Sequence, residues 1–213
     1  MATSLLLVPT QFELNYLTEA FCKSITNANY RIELCGFGPI VSGILATRLI
    51  AQYQPKKVLL TGLAGCLDPR LKTGTAVEFD EVVCYGIGAG SGTSFITAQE
   101  MGWSQWYSDS NKFEIKDSIT LESDQFIPLA QLLTCCAASG NEQDVQMKKE
   151  RFPNAVAEDM EGFAVAAACR LASVPLRIIR AISNQAGDRN KSNWRVCEAM
   201  AAVELEVLRN LNQ

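Results

Sequence analysis

Ala155-Val156-Ala157-Glu158-Asp159-Met160-Glu161-Gly162-Phe163-Ala164-Val165-Ala166-Ala167-Ala168 decides the fold. Residues 154–158 read as a short strand, and 161–171 as a helix so rich in alanine that it must be covered by other elements. Three acids crowd the junction between them. Working outward, a strand near 132–138 and the charged helix Glu142–Arg151 precede this unit, and a strand over 176–183 and a helix over 193–211 follow it. Toward the N-terminus, Ser4–Val8 is a continuous apolar run. A helical pattern over 12–25 comes next, with Phe12, Tyr16, Leu17 and Phe21 on one face. Residues 31–35 form a second strand, and Pro39 suits the first turn of a helix over 40–53. A third strand over 57–60 closes on Thr61-Gly62-Leu63-Ala64-Gly65, and 75–85 reads as one long strand. Residues 86–111, glycine-rich and then tryptophan-bearing, read as a loop or lid. Strands alternating with helices predict an α/β fold, a single three-layer domain over 1–213 around a mixed, mostly parallel twisted sheet. Ligands of such sheets collect beyond the strand carboxyl ends, here 9–13, 62–65, 159–161 and 183–184.

Composition removes whole classes of chemistry. The chain has 213 residues, 48% of them apolar, enough for one substantial core. A formal charge of -4 gives no electrostatic attraction for nucleic acid or acidic membrane. No apolar run approaches the roughly 20 residues of a membrane span. Leu5-Leu6-Leu7-Val8 has no preceding Lys or Arg and runs into Pro9, so a buried strand explains it better than a secretory signal. Among eight cysteines there is no CxxC pair. Cys35, Cys84, Cys135, Cys136 and Cys169 read as small core residues in a reducing, cytoplasmic compartment. There is no histidine. Ser-His-Asp, Cys-His and histidine metal sites are therefore excluded, and no metal or cofactor is expected. Gly36-x-Gly38 lacks the third glycine of a dinucleotide fingerprint, because Val41 stands there.

Carboxylates, amides, hydroxyls and thiols remain. Glu13, one turn into a helix after a buried strand, is either a first-turn acid favoured by the helix dipole or a base poised to activate water. Glu158, Asp159 and Glu161 either cap a helix or, with no Lys or Arg nearby in sequence, accept hydrogen bonds from vicinal sugar hydroxyls. Asn184 is a turn residue or a ligand contact. Gly62-Leu63-Ala64-Gly65 is a tight turn or a place where backbone approaches a ligand closely.

Together these segments resemble the purine nucleoside phosphorylase/nucleosidase family over nearly the whole chain. Leu7-Val8-Pro9-Thr10-Gln11-Phe12-Glu13 resembles the strand and loop that deliver the nucleosidases' general base. Thr61-Gly62-Leu63-Ala64-Gly65 resembles their turn beside the ribose, which implicates Ala64 and Gly65 in binding. The 152–162 stretch is similar to the Met-Glu signature, in which Met160 would pack on the ribose and Glu161 hold its hydroxyls, with Asp159 beside them. Arg180-Ala181-Ile182-Ser183-Asn184 matches the strand end that faces purine N7, with Ser183 as a contact.

The tail through Gly187-Asp188-Arg189 and Trp194 resembles the futalosine hydrolase branch, which belongs to a route to menaquinone. The adenine-cleaving members carry Asp at position 184. An amide donates where a 6-oxopurine presents the acceptors N7 and O6. The resemblance therefore implies hydrolysis of a purine nucleoside with release of hypoxanthine. Glu13 would be the base, Asn184 the group that stabilises the leaving purine, and Asp188 a weaker candidate acid. The family's stacking Phe is missing from the shortened Ala138-Ser139-Gly140-Asn141 stretch, and Phe126, Trp103 or Trp106 would replace it, across a dimer interface. A small-molecule nucleoside as ligand and a homodimer or higher homo-oligomer are implied. The rival readings are an adenine-releasing methylthioadenosine/S-adenosylhomocysteine-type nucleosidase, a phosphorylase on the same fold, and a purine-binding protein without turnover. For a phosphorylase, the early glycine segments carry no Arg to hold phosphate, and Glu13 would repel it.

Overall fold

A computed structural model describes residues 3–109, 113–122 and 130–211. In chain order its elements begin with β1 Ser4–Val8, α1 Gln11–Leu14, α2 Glu19–Asn27, β2 Tyr30–Leu34, α3 Gly38–Tyr53, β3 Val58–Cys66, β4 Thr75–Phe79 and β5 Glu81–Tyr85. Four short strands follow, β6 Gly88–Ala89, β7 Ile96–Thr97, β8 Trp106–Ser108 and β9 Phe113–Ile115. The chain then forms β10 Ser118–Thr120, β11 Gln131–Cys135, α4 Glu142–Arg151, β12 Ala155–Asp159, α5 Gly162–Leu171, β13 Leu176–Gln185 and α6 Val196–Leu211.

The central sheet runs β10-β5-β11-β12-β3-β1-β2, with β13 on β3 and β4 on β13. The pairings β1–β2, β1–β3, β3–β13, β5–β11 and β11–β12 are parallel, while β5–β10, β3–β12 and β4–β13 are antiparallel. This is the mixed, mostly parallel α/β sheet expected from the sequence. β1 explains why both faces need cover. Leu5 and Leu7 enter one core with Ala46, Leu49, Phe163 and Ala166 of α3 and α5. Leu6 and Val8 enter the other, with Phe21 and Ile25 of α2 and Met200, Val203 and Val207 of α6. Alternate residues of one strand thus feed opposite layers, so the strand is apolar throughout.

Several expectations need correction. The helix over 12–25 is two helices. Thr10 and Glu13 form a capping box around α1, and Thr18 starts α2 by accepting the Phe21 N–H at 3.1 Å. The 75–85 strand breaks at Asp80, where the chain changes neighbours from β13 to β11. Asp80 is fastened there by exchanging hydrogen bonds with Ala130, each 3.1 Å. The glycine-rich 61–65 stretch is no turn but the continuation of β3. Segment 86–111 contains the β6–β7 ladder and, in β8, part of the β8–β9 ladder. Cys136 is exposed, whereas Cys35, Cys84, Cys135 and Cys169 are buried, and all are free thiols.

One feature of the topology positions the site. β3 pairs with β1 only through Leu60 and with β12 only from Gly65 onward, while β13 follows it all the way. Residues 61–64 therefore lie along a gap between the end of β1 and the end of β12. A change of neighbour of this kind opens the crevice where open α/β sheets bind ligands.

Candidate active site

The gap is a cleft of ≈ 380 Å³. Eight of the residues singled out for catalysis or binding line it: Glu13 after β1, Ala64 and Gly65 of β3, Asp159, Met160 and Glu161 after β12, and Ser183 and Asn184 of β13.

Glu13 is 6% exposed. One carboxylate oxygen, Oε2, accepts from the Thr10 N–H at 3.0 Å and the Thr10 hydroxyl at 2.6 Å. The other, Oε1, accepts from the Leu63 N–H at 2.9 Å. The capping and functional readings of this acid coincide, because the capping box is what aims the carboxylate across the gap at β3. Gly62 makes that approach possible. Its φ is +140°, and a Cβ there would stand 2.5 Å from Arg180 Nη1, 2.6 Å from Glu13 Oε1 and 2.8 Å from Pro9 Cδ. The close approach at this glycine is made by the protein's own Glu13, Arg180 and Pro9.

Glu161, at the start of α5, is 4% exposed. Its Oε1 accepts from the Gly38 N–H at 3.0 Å and its Oε2 lies 3.2 Å from Arg180 Nη2. Burial pushes its carboxyl up to about 7, with Asp159 and Glu13 adding to the rise and Arg180 and the Gly38 N–H opposing it.

Asp159 differs from the expectation for it. Its side chain is wholly buried. It accepts from the Thr134 hydroxyl at 2.6 Å and the Gly162 N–H at 2.8 Å, and it pairs with Arg180. That carboxylate is committed to the protein and is not free to accept ligand hydroxyls. Glu158 is engaged likewise by Ser139 and by Lys148, whose ammonium lies 2.6 Å away in a pair almost closed to water.

Arg180 is the residue that sequence reasoning missed. It is fully buried, pairs with both Asp159 and Glu161, and donates to Thr61 O at 3.0 Å. The acids judged free of a cation have one, brought 21 and 19 residues along the chain by the β12–β3–β13 ladder. Its signal was available: a charged residue inside Ile178-Ile179-Arg180-Ala181-Ile182, a run that must be buried, needs an internal partner.

Asn184 follows a register shift between Ile182 and Asn184, a bulge at Ser183. A bulge lets consecutive side chains serve one side of a strand, and both Ser183 and Asn184 line the cleft. Asn184 Oδ1 accepts from the Ser183 hydroxyl at 2.8 Å, and Nδ2 donates to Gln185 O at 2.7 Å. One amide proton is left for a ligand, not the two that would serve N7 and O6 together.

The aromatic expectations change too. Trp103 and Trp106 are exposed and do not line the cleft, and Phe126 lies outside the described residues. Phe12, Phe37 and Trp194 line it instead. Asp188 is not in the lining either. Its carboxylate accepts from the Asn190 N–H and from Asn193 Nδ2, each at 2.8 Å, and these bonds hold its carboxyl below the usual range. An acid held ionised in this way is a poor proton donor. Among the described residues, no group of three or more His, Cys, Asp or Glu could hold a metal ion, and no helix is long and apolar enough to cross a membrane.

A carboxylate-lined crevice at a change of strand neighbours in a mixed α/β sheet is where such sheets bind ligands. The chain belongs to the phosphorylase superfamily, whose sequence pattern it matches over residues 13–211. It is 30% identical to a futalosine hydrolase of Streptomyces coelicolor, over 68% of this chain and 61% of that protein, so it spans less than two thirds of that relative. It is 28% identical to a 5′-methylthioadenosine/S-adenosylhomocysteine nucleosidase of Tolumonas auensis, over 78% of this chain and 73% of the relative. The fold matches the adenine complex of such a nucleosidase from Colwellia psychrerythraea with a TM-score of 0.75 at 20% identity, covering 100% of this chain and 96% of that one. These names converge on nucleoside N-glycosyl hydrolases, the class of enzyme they support, and they do not choose between the two substrates.

Proposed function

We propose that the cleft hydrolyses the N-glycosidic bond of a 6-oxopurine nucleoside, futalosine being the candidate substrate, with release of hypoxanthine. The observation that carries the reading is the meeting of Glu13, Glu161 and Asn184, from three separate strand ends, on one cleft. Glu161 accepts from the ribose diol. The C1′–N9 bond lengthens toward an oxocarbenium-like sugar, whose positive charge the two carboxylates favour. Water attacks C1′ and gives its proton to Glu13, while the bonding pair leaves with the purine. The remaining Asn184 N–H stabilises charge growing on N7 or O6, and the departing base takes its proton from water. Interactions that strengthen as charge develops raise turnover rather than affinity alone.

Two features favour water over phosphate as the nucleophile. The lining carries four carboxylates against one arginine, Arg189, and the buried Arg180 is committed to Asp159, Glu161 and Thr61 O. Asn184 supports a 6-oxopurine over adenine when its one free N–H meets O6, an acceptor where adenine carries a donor amine; the same N–H on N7 would serve both bases.

We further propose that the enzyme is a cytoplasmic homodimer. Phe12 and Phe37 at the cleft and Ile40 and Ile44 on α3 are exposed apolar residues that a second copy would cover. Sedimentation at micromolar concentration tests this.

Incubation with futalosine, inosine and methylthioadenosine, with and without phosphate, tests the activity through the released base. Hypoxanthine release independent of phosphate is expected. Adenine release alone overturns the base assignment, phosphate dependence overturns hydrolysis, and no release from any of the three overturns the enzyme reading.

A further inference from the structure

Glu158 of β12 and Asn184 of β13 both pair with Gly65 of β3, so they stand on either side of one residue. All three line the cleft, together with Ala138 from the stretch that follows β11. That stretch belongs to no helix or strand, yet a buried ion pair grips it. The Lys148 ammonium donates to Glu158 Oε2 at 2.6 Å, to the Ser139 hydroxyl at 3.0 Å and to Ala137 O at 3.1 Å. Its three donors are thereby used, and it also lies 5.7 Å from the centroid of the Tyr85 ring. Glu158 accepts in addition from the Ser139 N–H at 2.7 Å and from the Ser139 hydroxyl at 2.8 Å. Ala137 and Ser139 are thus fastened, and the Gly140 N–H donates to Asp144 at 2.8 Å. Ala138 is the exception. It is exposed, and among the described residues neither its N–H nor its C=O has a hydrogen-bond partner. Apolar side chains of similar volume stabilise a core as well as a buried lysine and glutamate, or better. This pair directs its bonds to irregular chain at the cleft wall, and what it secures is the place of that wall.

We infer that Lys148 and Glu158 are positioning residues for base recognition: they fix residues 137–139 so that the free peptide groups of Ala138 meet the O6/N1 edge of the purine. The inference rests on the nucleosidase reading. In a 6-oxopurine, O6 accepts and the neighbouring N1–H donates. The N–H and C=O of a single residue are the complementary donor and acceptor. O6 has a second lone pair, on the side toward N7, for the remaining Asn184 N–H. A peptide held in place before the base arrives adds little ordering cost to binding, which is what the ion pair contributes. Neither charged group touches the base on this account; both act through Ala137, Ala138 and Ser139.

Two free bases are the probes, hypoxanthine and 1-methylhypoxanthine, which carries a methyl group in place of the N1 hydrogen. Calorimetric binding of both needs no turnover. The native protein is expected to bind hypoxanthine about tenfold or more tighter, the scale of one hydrogen bond lost with its acceptor left unpaired. Lys148→Met alone strands Glu158, so the informative variant combines Lys148→Met with Glu158→Leu, which removes both charges and keeps apolar volume. Thermal unfolding checks that it folds. With the wall released, its Kd for hypoxanthine should rise about fivefold and its preference over the methylated base shrink to about threefold or less. A merely structural role would weaken both bases by the same factor and leave the ratio alone. Ser139→Ala keeps the ion pair and the main-chain N–H at 139, and should shift the ratio in the same direction by less. Base release from the nucleosides named above, combined with equal binding of the two bases by the native protein, overturns the positioning role and leaves the nucleosidase reading intact. So does a folded double variant that keeps the native ratio. Absence of both base release and hypoxanthine binding overturns the nucleosidase reading and this inference with it.

Discussion

Arg180→Met is the substitution that tests the electrostatic account most directly. The side chain is fully buried, and so is that of its partner Asp159, while that of Glu161 is 5% exposed. Methionine preserves much of the volume but removes the only positive charge between two buried acids. Breaking a buried pair by deleting one partner costs about 3–5 kcal/mol, because a charge is left uncompensated. The loss should depend on pH, and Glu161 gives the sign. Its carboxyl is raised from 4.5 to about 7 in the folded protein even with Arg180 opposing the rise. The folded state therefore holds a proton that the unfolded state has released, and stability from this group is present below 4.5 and lost as pH rises toward 7. Without Arg180 the folded value moves higher, the window extends upward, and each further unit removes about 1.4 kcal/mol. Urea unfolding at pH 5 and pH 8 reads the difference, with midpoints compared at unchanged slope. We expect a loss of about 2–3 kcal/mol at pH 5 and roughly 1 kcal/mol more at pH 8. An equal loss at both pH values, or less than about 1 kcal/mol at pH 8, refutes the view that Arg180 compensates buried carboxylates.

Glu13→Gln should lower kcat about 100-fold or more in a base-release assay, the usual scale for a general base; turnover within threefold of native removes Glu13 from the mechanism. The profile of kcat/KM against pH should rise through about 7, because only the ionised Glu161 can accept both diol protons. Absence of that limb, or its survival in Glu161→Gln, sinks the assignment. Lys148→Met strands the Glu158 carboxylate with only Ser139 as donor and should cost about 3 kcal/mol at neutral pH, measurable by thermal or urea unfolding. A neutral or stabilising result would mean that water reaches Glu158.

Periodicity made most of the layers legible. α4 occupies the expected 142–151, and β1 the expected apolar run, because local pattern and tertiary burial agree there. The failures share a different cause. Val-rich 75–85 looks continuous because strand propensity does not record which neighbour a strand pairs with, and the break at Asp80 depends on Ala130, far along the chain. Glycines 62 and 65 argue for a turn by propensity alone, yet β13 pairing carries the strand through them. In the cleft, positions at strand ends could be named from sequence. Commitments between side chains could not: Asp159 to Arg180 and Thr134, and one Asn184 proton to Gln185, depend on neighbours that only the fold supplies.

The bulge at Ser183 separates two jobs within β13. Residues 178–182 are locked to β3 and β4 by ladders on both sides, whereas the end of the strand meets β3 alone, one step out of phase. Side chains there can be exchanged without asking the buried ladder to shift. On the proposed reading of Asn184, substitutions at position 184 would change which base is recognised while the scaffold that holds the acids stays the same.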